Sequence, residues 1–189
     1  ISNAAKAAAE ATAAALDAAI QVGGRNLVTG TKNTYQSKSI YDYLVQLTGA
    51  INNLIIGGQY IAKVFINNTT ERDVRLRIVN YNSSGSQVAN FYGNAVATGS
   101  TGYSTCIFTI PAGYSYCVLF LQYVVTSPNL AGTFEYKELK LELGNKATDW
   151  TPAPEDVQED YATKLGYSNY SDLVAKATAG STIISGGYL

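Results

Sequence analysis

QYIAKVFIN, residues 59–67, followed after a short break by VRLRIVNY, residues 74–81, decides the fold. In the first segment Tyr60, Ala62, Val64 and Ile66 alternate with Ile61, Lys63 and Phe65; in the second Val74, Leu76 and Ile78 alternate with Arg75 and Arg77. A period of two is the side-chain period of a β-strand, and the second segment has one wet face and one buried face. Asn82-Ser83-Ser84-Gly85 is a turn cluster, after which residues 87–92 read as a further strand, and a meander of antiparallel strands is expected to follow. Residues 104–110 place Cys106, Phe108 and Ile110 on one face, and 116–125 form a nearly continuous apolar run, as in a strand buried on both sides. In TFEYKELKLEL, residues 133–143, Phe134 and Tyr136 share one parity and Leu139, Leu141 and Leu143 the other. A β-bulge near Lys137 and Glu138 would bring all five to the core. Two sheets of about four strands, packed face to face, would bury these stripes, so the expected fold is mainly β, a jelly-roll β-sandwich.

The flanks have a different texture. Residues 1–22 are half alanine and run without Pro or Gly to Gly23-Gly24, which predicts a helix ahead of the sandwich. Ala9, Ala13, Leu16 and Ile20 follow the 4-3-4 spacing of a coiled-coil seam, although Lys6 would point inward in that register. So thin a stripe does not stabilise a lone helix in water, which leaves two readings: a helix docked on its own domain, or one that associates with its copies. After the sandwich, Trp150-Thr151-Pro152-Ala153-Pro154 cannot continue a strand, because each proline lacks the N–H of a ladder. This segment is expected to run extended over the surface, with Trp150 folded back to seal the sandwich edge. Pro154, Glu155 and Asp156 suit the first turn of a helix that Gly166 ends, and a second short helix is expected at 172–179. TIISGGYL, residues 182–189, reads as the first strand and turn of a further module, and with no methionine at its start the chain is expected to be part of a longer protein. The expected organisation is an alanine-rich stalk helix over 1–23, the sandwich over 24–148, and an exit linker with two short helices and the start of a next module over 149–189.

Composition excludes several function classes. The net charge is −1 and 14% of residues are charged, so no broad basic surface exists to meet a phosphate backbone and nucleic acid is not an expected partner. No apolar run approaches the roughly 20 residues that cross a bilayer, so membrane insertion is not expected either. With no histidine, a Ser-His-Asp or Cys-His relay cannot be built, and a zinc site would have only two thiols and scattered carboxylates. A glycosidase needs two carboxylates about 5 to 10 Å apart across a cleft. Most acids fall in the helical segments or the bulged strand, leaving only Asp42, Glu71 and Asp73 in loop-like parts of the sandwich, so no enzyme, no catalytic residue and no cofactor are expected. Jelly rolls can hold a structural calcium, but no tight run of carboxylates points to one. Cys106 and Cys117 flank the turn-like Pro111-Ala112-Gly113; a hairpin centred there would set them opposite each other, permitting a disulfide, while two buried free thiols are the alternative.

Binding is the remaining class. The chain has fifteen tyrosines, five phenylalanines and one tryptophan, with many tyrosines beside Asn, Ser and Gly. Tyrosine offers a flat apolar face and a hydroxyl, which suits sugar rings and protein surfaces alike. The candidate ligand residues are Tyr41, Tyr43, Tyr92, Asn94 and Tyr103, together with Arg75 and Arg77. Those arginines, beside Arg72, Glu71 and Asp73, read either as a solvated sheet face or as a site for an acidic sugar.

Three motifs then line up with a known family. GRNLVTG at 24–30, LELGNKATDWTPAPED at 141–156, and the stretch from Leu165-Gly166-Tyr167 to Thr182-Ile183-Ile184-Ser185-Gly186-Gly187-Tyr188 resemble tail-fibre and minor tail proteins of phages and prophages. In that family the first two motifs bracket jelly-roll modules of carbohydrate-binding type, and the third leads into the next module of a long, usually trimeric fibre. The resemblance implies a virion tail component assembled in the bacterial cytoplasm, with Ala9, Ala13, Leu16 and Ile20 in a trimeric stalk. It also implies a bacterial surface polysaccharide and other tail proteins as partners, and a host-attachment role. Two further readings stay open: a structural spacer or trimerisation unit with no ligand, and a carbohydrate-binding domain of a secreted multidomain enzyme.

Overall fold

The computed structural model describes residues 23–40, 43–124 and 132–179. The stalk helix with its Ala9, Ala13, Leu16 and Ile20 seam, Tyr41, and the strand expected at 182–189 lie outside the described residues. Eight strands form in chain order: β1 (Gln36–Ile40), β2 (Leu44–Gln46), β3 (Gln59–Asn67), β4 (Val74–Tyr81), β5 (Gln87–Tyr92), β6 (Thr101–Thr109), β7 (Tyr116–Tyr123) and β8 (Gly132–Leu143). They make two four-stranded antiparallel sheets: sheet I in the order β1-β8-β3-β6 and sheet II in the order β2-β7-β4-β5. This interleaved order is that of a jelly roll.

The period-two stripes form the layer between the sheets. From sheet I come Ala62, Val64, Ile66, Phe108, Phe134 and Leu141, and from sheet II come Leu76, Ile78, Leu119 and Leu121, all buried. Truncating one of these leucines to alanine would cost about 2–5 kcal/mol, the transfer term plus the cavity left behind. The bulge in β8 is present: Lys63 of β3 lies opposite Lys140 but Phe65 lies opposite Lys137, so the register shifts between them. Glu138 sits there with φ 56°. Its freed N–H donates to the Lys32 carbonyl at 2.7 Å. The shift turns Phe134 and Tyr136 as well as Leu139 and Leu141 inward, whereas Leu143, at the end of the strand, is exposed.

Two expectations are corrected. Only β4 and β5 form a sequential hairpin; β3 to β4, β5 to β6, β6 to β7 and β7 to β8 all pass between sheets, so the strands do not meander. For the same reason Pro111-Ala112-Gly113 bridges the layers. Cys106 lies opposite Ala62 in sheet I and Cys117 opposite Asn80 in sheet II, and both are free and buried. Burial pushes their thiols up to about 11 and about 12. Asn80 is fully buried on β4, and neither side-chain polar atom has a partner among the described residues.

Two helices follow, α1 (Pro154–Lys164) and α2 (Tyr170–Thr178). Proline opens α1, with Glu155 and Asp156 in its positive first turn, and Gly166 at φ 82° lets the chain turn away after it. Asn169 caps α2 by accepting from the Asp172 N–H at 2.8 Å. No described helix is long and apolar enough to cross a membrane.

Candidate functional site

The two border motifs meet in space. Asn26, fully buried, accepts from the N–H groups of Val28 (3.1 Å) and Leu141 (3.2 Å), and donates to Thr31 Oγ1 and to the carbonyls of Leu139 and Thr151. The Gly30 N–H donates to the Asp156 carboxylate, and Arg25 pairs with Glu155. One side chain therefore ties the entering segment to β8 and to the exit segment, residues more than a hundred positions apart.

The exit segment also crosses the outer face of sheet I. Lys140 and Glu142 point outward there, yet each side chain is 1% exposed. Lys140 Nζ lies 3.4 Å from Glu142 Oε2 and donates to Thr148 Oγ1 and the Asp149 carbonyl. Glu142 accepts from the Thr148 N–H and hydroxyl at 2.8 and 2.7 Å. Burial alone would raise the Glu142 carboxyl, but the two Thr148 bonds and the Lys140 ammonium outweigh it and hold it below the usual carboxylate range. This buried pair fixes Thr148 and Asp149, and with them the direction of Trp150. The indole N–H donates to Thr31 Oγ1 at 3.2 Å, which pins the ring beside the entering segment.

Beside that ring a cleft opens on sheet I, about 350 Å³ in volume and lined by Asn33, Tyr103, Glu138, Asp149 and Trp150. The Tyr103 ring meets Phe65 edge-on at 5.0 Å, with Lys63 Nζ 5.0 Å from its centroid, and Phe65 continues to Tyr35 at 6.4 Å. An aromatic row thus runs across the sheet, and Trp150 lines the same cleft as its Tyr103 end. The Tyr103 hydroxyl donates to the Glu138 carboxylate. Burial, then that hydrogen bond and the negative charges of Glu138 and Asp149, push its phenol up to about 12, so it stays neutral. The bulge is what aims Glu138 here. A left-handed conformation costs a residue with a β-carbon about 1–2 kcal/mol, and such strain collects where a side chain must be directed at a site.

Chemically the cleft offers aromatic faces for the C–H side of a sugar ring, and carboxylates with an amide for its hydroxyls. Of the candidate residues read from sequence, Tyr103 is in this cleft. Arg75, Arg77 and Tyr92 come together on the outer face of sheet II. Tyr43 is half-buried beside β2, its carbonyl accepting from the Tyr123 N–H. Asn94 is taken up by the backbone of β6, donating to the Tyr103 carbonyl and accepting from the Thr105 N–H, both at 2.8 Å. Sequence reasoning did not select Asn33, Glu138, Asp149 or Trp150 as ligand groups. The parity break at Lys137 and Glu138 was the available signal, since bulges often re-aim a side chain at a site. Among the described residues no group of three or more Cys, Asp or Glu lies close enough to hold a metal ion.

No protein-family model and no curated protein sequence matches the chain. Solved structures to which it is similar include phage tail proteins and carbohydrate-binding modules. One is the enzymatically active domain of tailspike protein 4 of bacteriophage CBA120, at 11% identity and TM-score 0.44, covering 62% of this chain and 21% of that one. Another is the tripod from the baseplate of bacteriophage Tuc2009, at 13% identity and TM-score 0.47, covering 72% and 61%. A third is the CBM22-1 xylan-binding domain of Paenibacillus barcinonensis Xyn10C, at 11% identity and TM-score 0.38, covering 68% and 96%. The chain spans less than two thirds of the length of either phage protein.

Proposed function

We propose that this chain is a non-catalytic module of a phage or prophage tail fibre or minor tail protein, and that it attaches to a bacterial surface polysaccharide through the cleft on sheet I. The observation that carries the reading is the convergence of Tyr103, Trp150 and Asn33 with two carboxylates, one of them aimed by a strained bulge. The border motifs at 24–30 and 141–156 support the family, and the Asn26 clasp gives a physical reason for them to occur together: each is half of one closure. In this reading residues 24–148 are the binding sandwich, 1–23 are the stalk of a homotrimer built on Ala9, Ala13, Leu16 and Ile20, and 149–189 lead toward the next module. Other tail proteins are its neighbours in the virion. A glycan array should show selective binding to surface polysaccharides, lost in Tyr103→Ala, with no new reducing ends released from the bound polymer. Binding to no polysaccharide would overturn the proposal, and release of reducing ends would overturn its non-catalytic part.

A second reading, a spacer that packs against its own copies, is favoured by one observation. Ile55 and Leu143 are exposed, at 63% and 45%, and line a cavity of about 720 Å³ at the sandwich end where the chain enters. Sedimentation of the full chain and of an Ile55→Ser, Leu143→Ser variant tests it: dissociation of an oligomer by the two serines would support the spacer role.

A further inference from the structure

We infer that the outer face of sheet II is a second binding site, one for an oxyanion carried on a glycan chain, a sugar carboxylate or a phosphate, with Arg75 as the anion-binding group. The strand register directs Leu44 and Gln46 of β2, Val118, Phe120 and Gln122 of β7, Arg75 and Arg77 of β4, and Asn90 and Tyr92 of β5 to this face. None is acidic. The Arg77 guanidinium is held by neutral acceptors: Nε and Nη2 donate to Asn90 Oδ1 at 3.1 and 2.9 Å, Nη1 to Gln122 Oε1 at 3.3 Å, and Nη2 to Gln87 Oε1 at 3.5 Å. Arg75 has no hydrogen-bond acceptor and no ion-pair partner among the described residues, and its Nε is shut off from solvent.

What Arg75 does have is a platform. Its guanidinium carbon lies 4.0 Å from the centroid of the Tyr92 ring, and that of Arg77 lies 5.9 Å from the same ring. The ring restrains the guanidinium, and with Nε enclosed it is the Nη1 and Nη2 groups, without an acceptor among the described residues, that would meet a carboxylate or phosphate with two parallel hydrogen bonds. In sheet I one cation, Lys63, also lies over a ring, that of Tyr103, but two others are paired with acids, Lys140 with Glu142 and Lys137 with Glu138. The nearest acids in sequence to Arg75 are Glu71 and Asp73, before the strand begins, and Asp73 is engaged in accepting from the Thr98 N–H. Two arginines beside each other, with amides and an aromatic ring and no acid among the described residues, make a donor face suited to an incoming anion.

The site is independent of the cleft on sheet I, and the test keeps them apart. The full chain is run in affinity gels containing polygalacturonate as the carboxylate polymer, poly(glycerol phosphate) as the phosphate polymer, or neutral dextran. Retardation by either anionic polymer and not by dextran is expected, and which of the two retards tells a carboxylate from a phosphate source. Arg75→Gln and Arg75→Lys should each weaken it by about tenfold or more, because lysine neither stacks on Tyr92 nor makes the bidentate pair. Lys38→Gln, on the exposed edge strand of sheet I, should leave it unchanged. The proposal is overturned if neither anionic polymer retards the chain, if Arg75→Lys binds like the parent, or if Lys38→Gln, a loss of charge on the exposed edge of sheet I, weakens binding as much as Arg75→Gln. Matching melting temperatures for the Arg75 variants and the parent exclude unfolding as the cause.

Discussion

Replacing Glu142 by glutamine should destabilise the sandwich far more than a change on an outward-facing strand position ordinarily does. Lys140 and Glu142 are each 1% exposed, so removing one charge strands the other where water cannot reach it. Breaking a buried pair in this way costs about 3–5 kcal/mol. For a chain of this size each kcal/mol moves the melting temperature by roughly 2–4 °C, so Glu142→Gln and Lys140→Met should each lower it by roughly 6–20 °C. The double variant Lys140→Met, Glu142→Leu leaves no orphaned charge and should lose much less than the sum of the singles. The pair also sets an acid limit. Because the folded carboxyl is held below its ordinary value of 4.5, its stabilisation is complete above that pH and is lost as pH falls through the lower folded value. Thermal unfolding followed by circular dichroism from pH 7 down to about pH 3 should show a steep fall for the parent and a shallower one for the double variant. Single variants that melt within about 2 °C of the parent, or a double variant that shows the full sum, would refute the reasoning.

Three further outcomes follow from the geometry. Glu138→Gly relieves the left-handed strain that Glu138→Ala retains, so the glycine variant should melt a few degrees above the alanine one, by about 1 kcal/mol, while both lose polysaccharide binding; equal melting points would remove the strain argument. Asn80→Leu removes two unpartnered amide atoms from the core at similar volume, so it should raise stability by about 1–3 kcal/mol in urea unfolding; a loss would mean the amide is satisfied by internal water. Cys106 and Cys117, with thiols pushed up to about 11 and about 12 by burial, should not react with a disulfide reagent at pH 8 until the chain is denatured; rapid labelling of the native protein would contradict their burial.

Strand existence and faces were legible because parity is a local property. Val74, Leu76 and Ile78 against Arg75 and Arg77 identify an inner and an outer face without knowledge of any partner, and the parity break in β8 gave away the bulge. Sheet membership was not legible in the same way: alternation does not say which strand lies alongside, so the Pro111-Ala112-Gly113 turn read as a hairpin when it spans the layers. The outward parity of Lys140 and Glu142 carries no sign of burial; only the exit segment, folding back by way of Thr148, makes them buried. Asn26 carries no local signal at all, since its partners Leu139, Leu141 and Thr151 are set by closure of the sandwich. The site divides along the same line. Tyr103, Arg75 and Arg77 could be picked by residue type, but Trp150 and Asp149 reach the cleft only through that closure, and Asn94 is spent on β6.

Trp150 provides the most direct test, because it is the only tryptophan in the chain and it lines the proposed cleft. Titrating the protein with uncharged fragments of a host surface polysaccharide should change its tryptophan emission saturably, and Tyr103→Ala should abolish that change without unfolding the chain. Saturable binding of the polysaccharide with unaltered Trp150 emission, or with full affinity in Tyr103→Ala, would contradict the account.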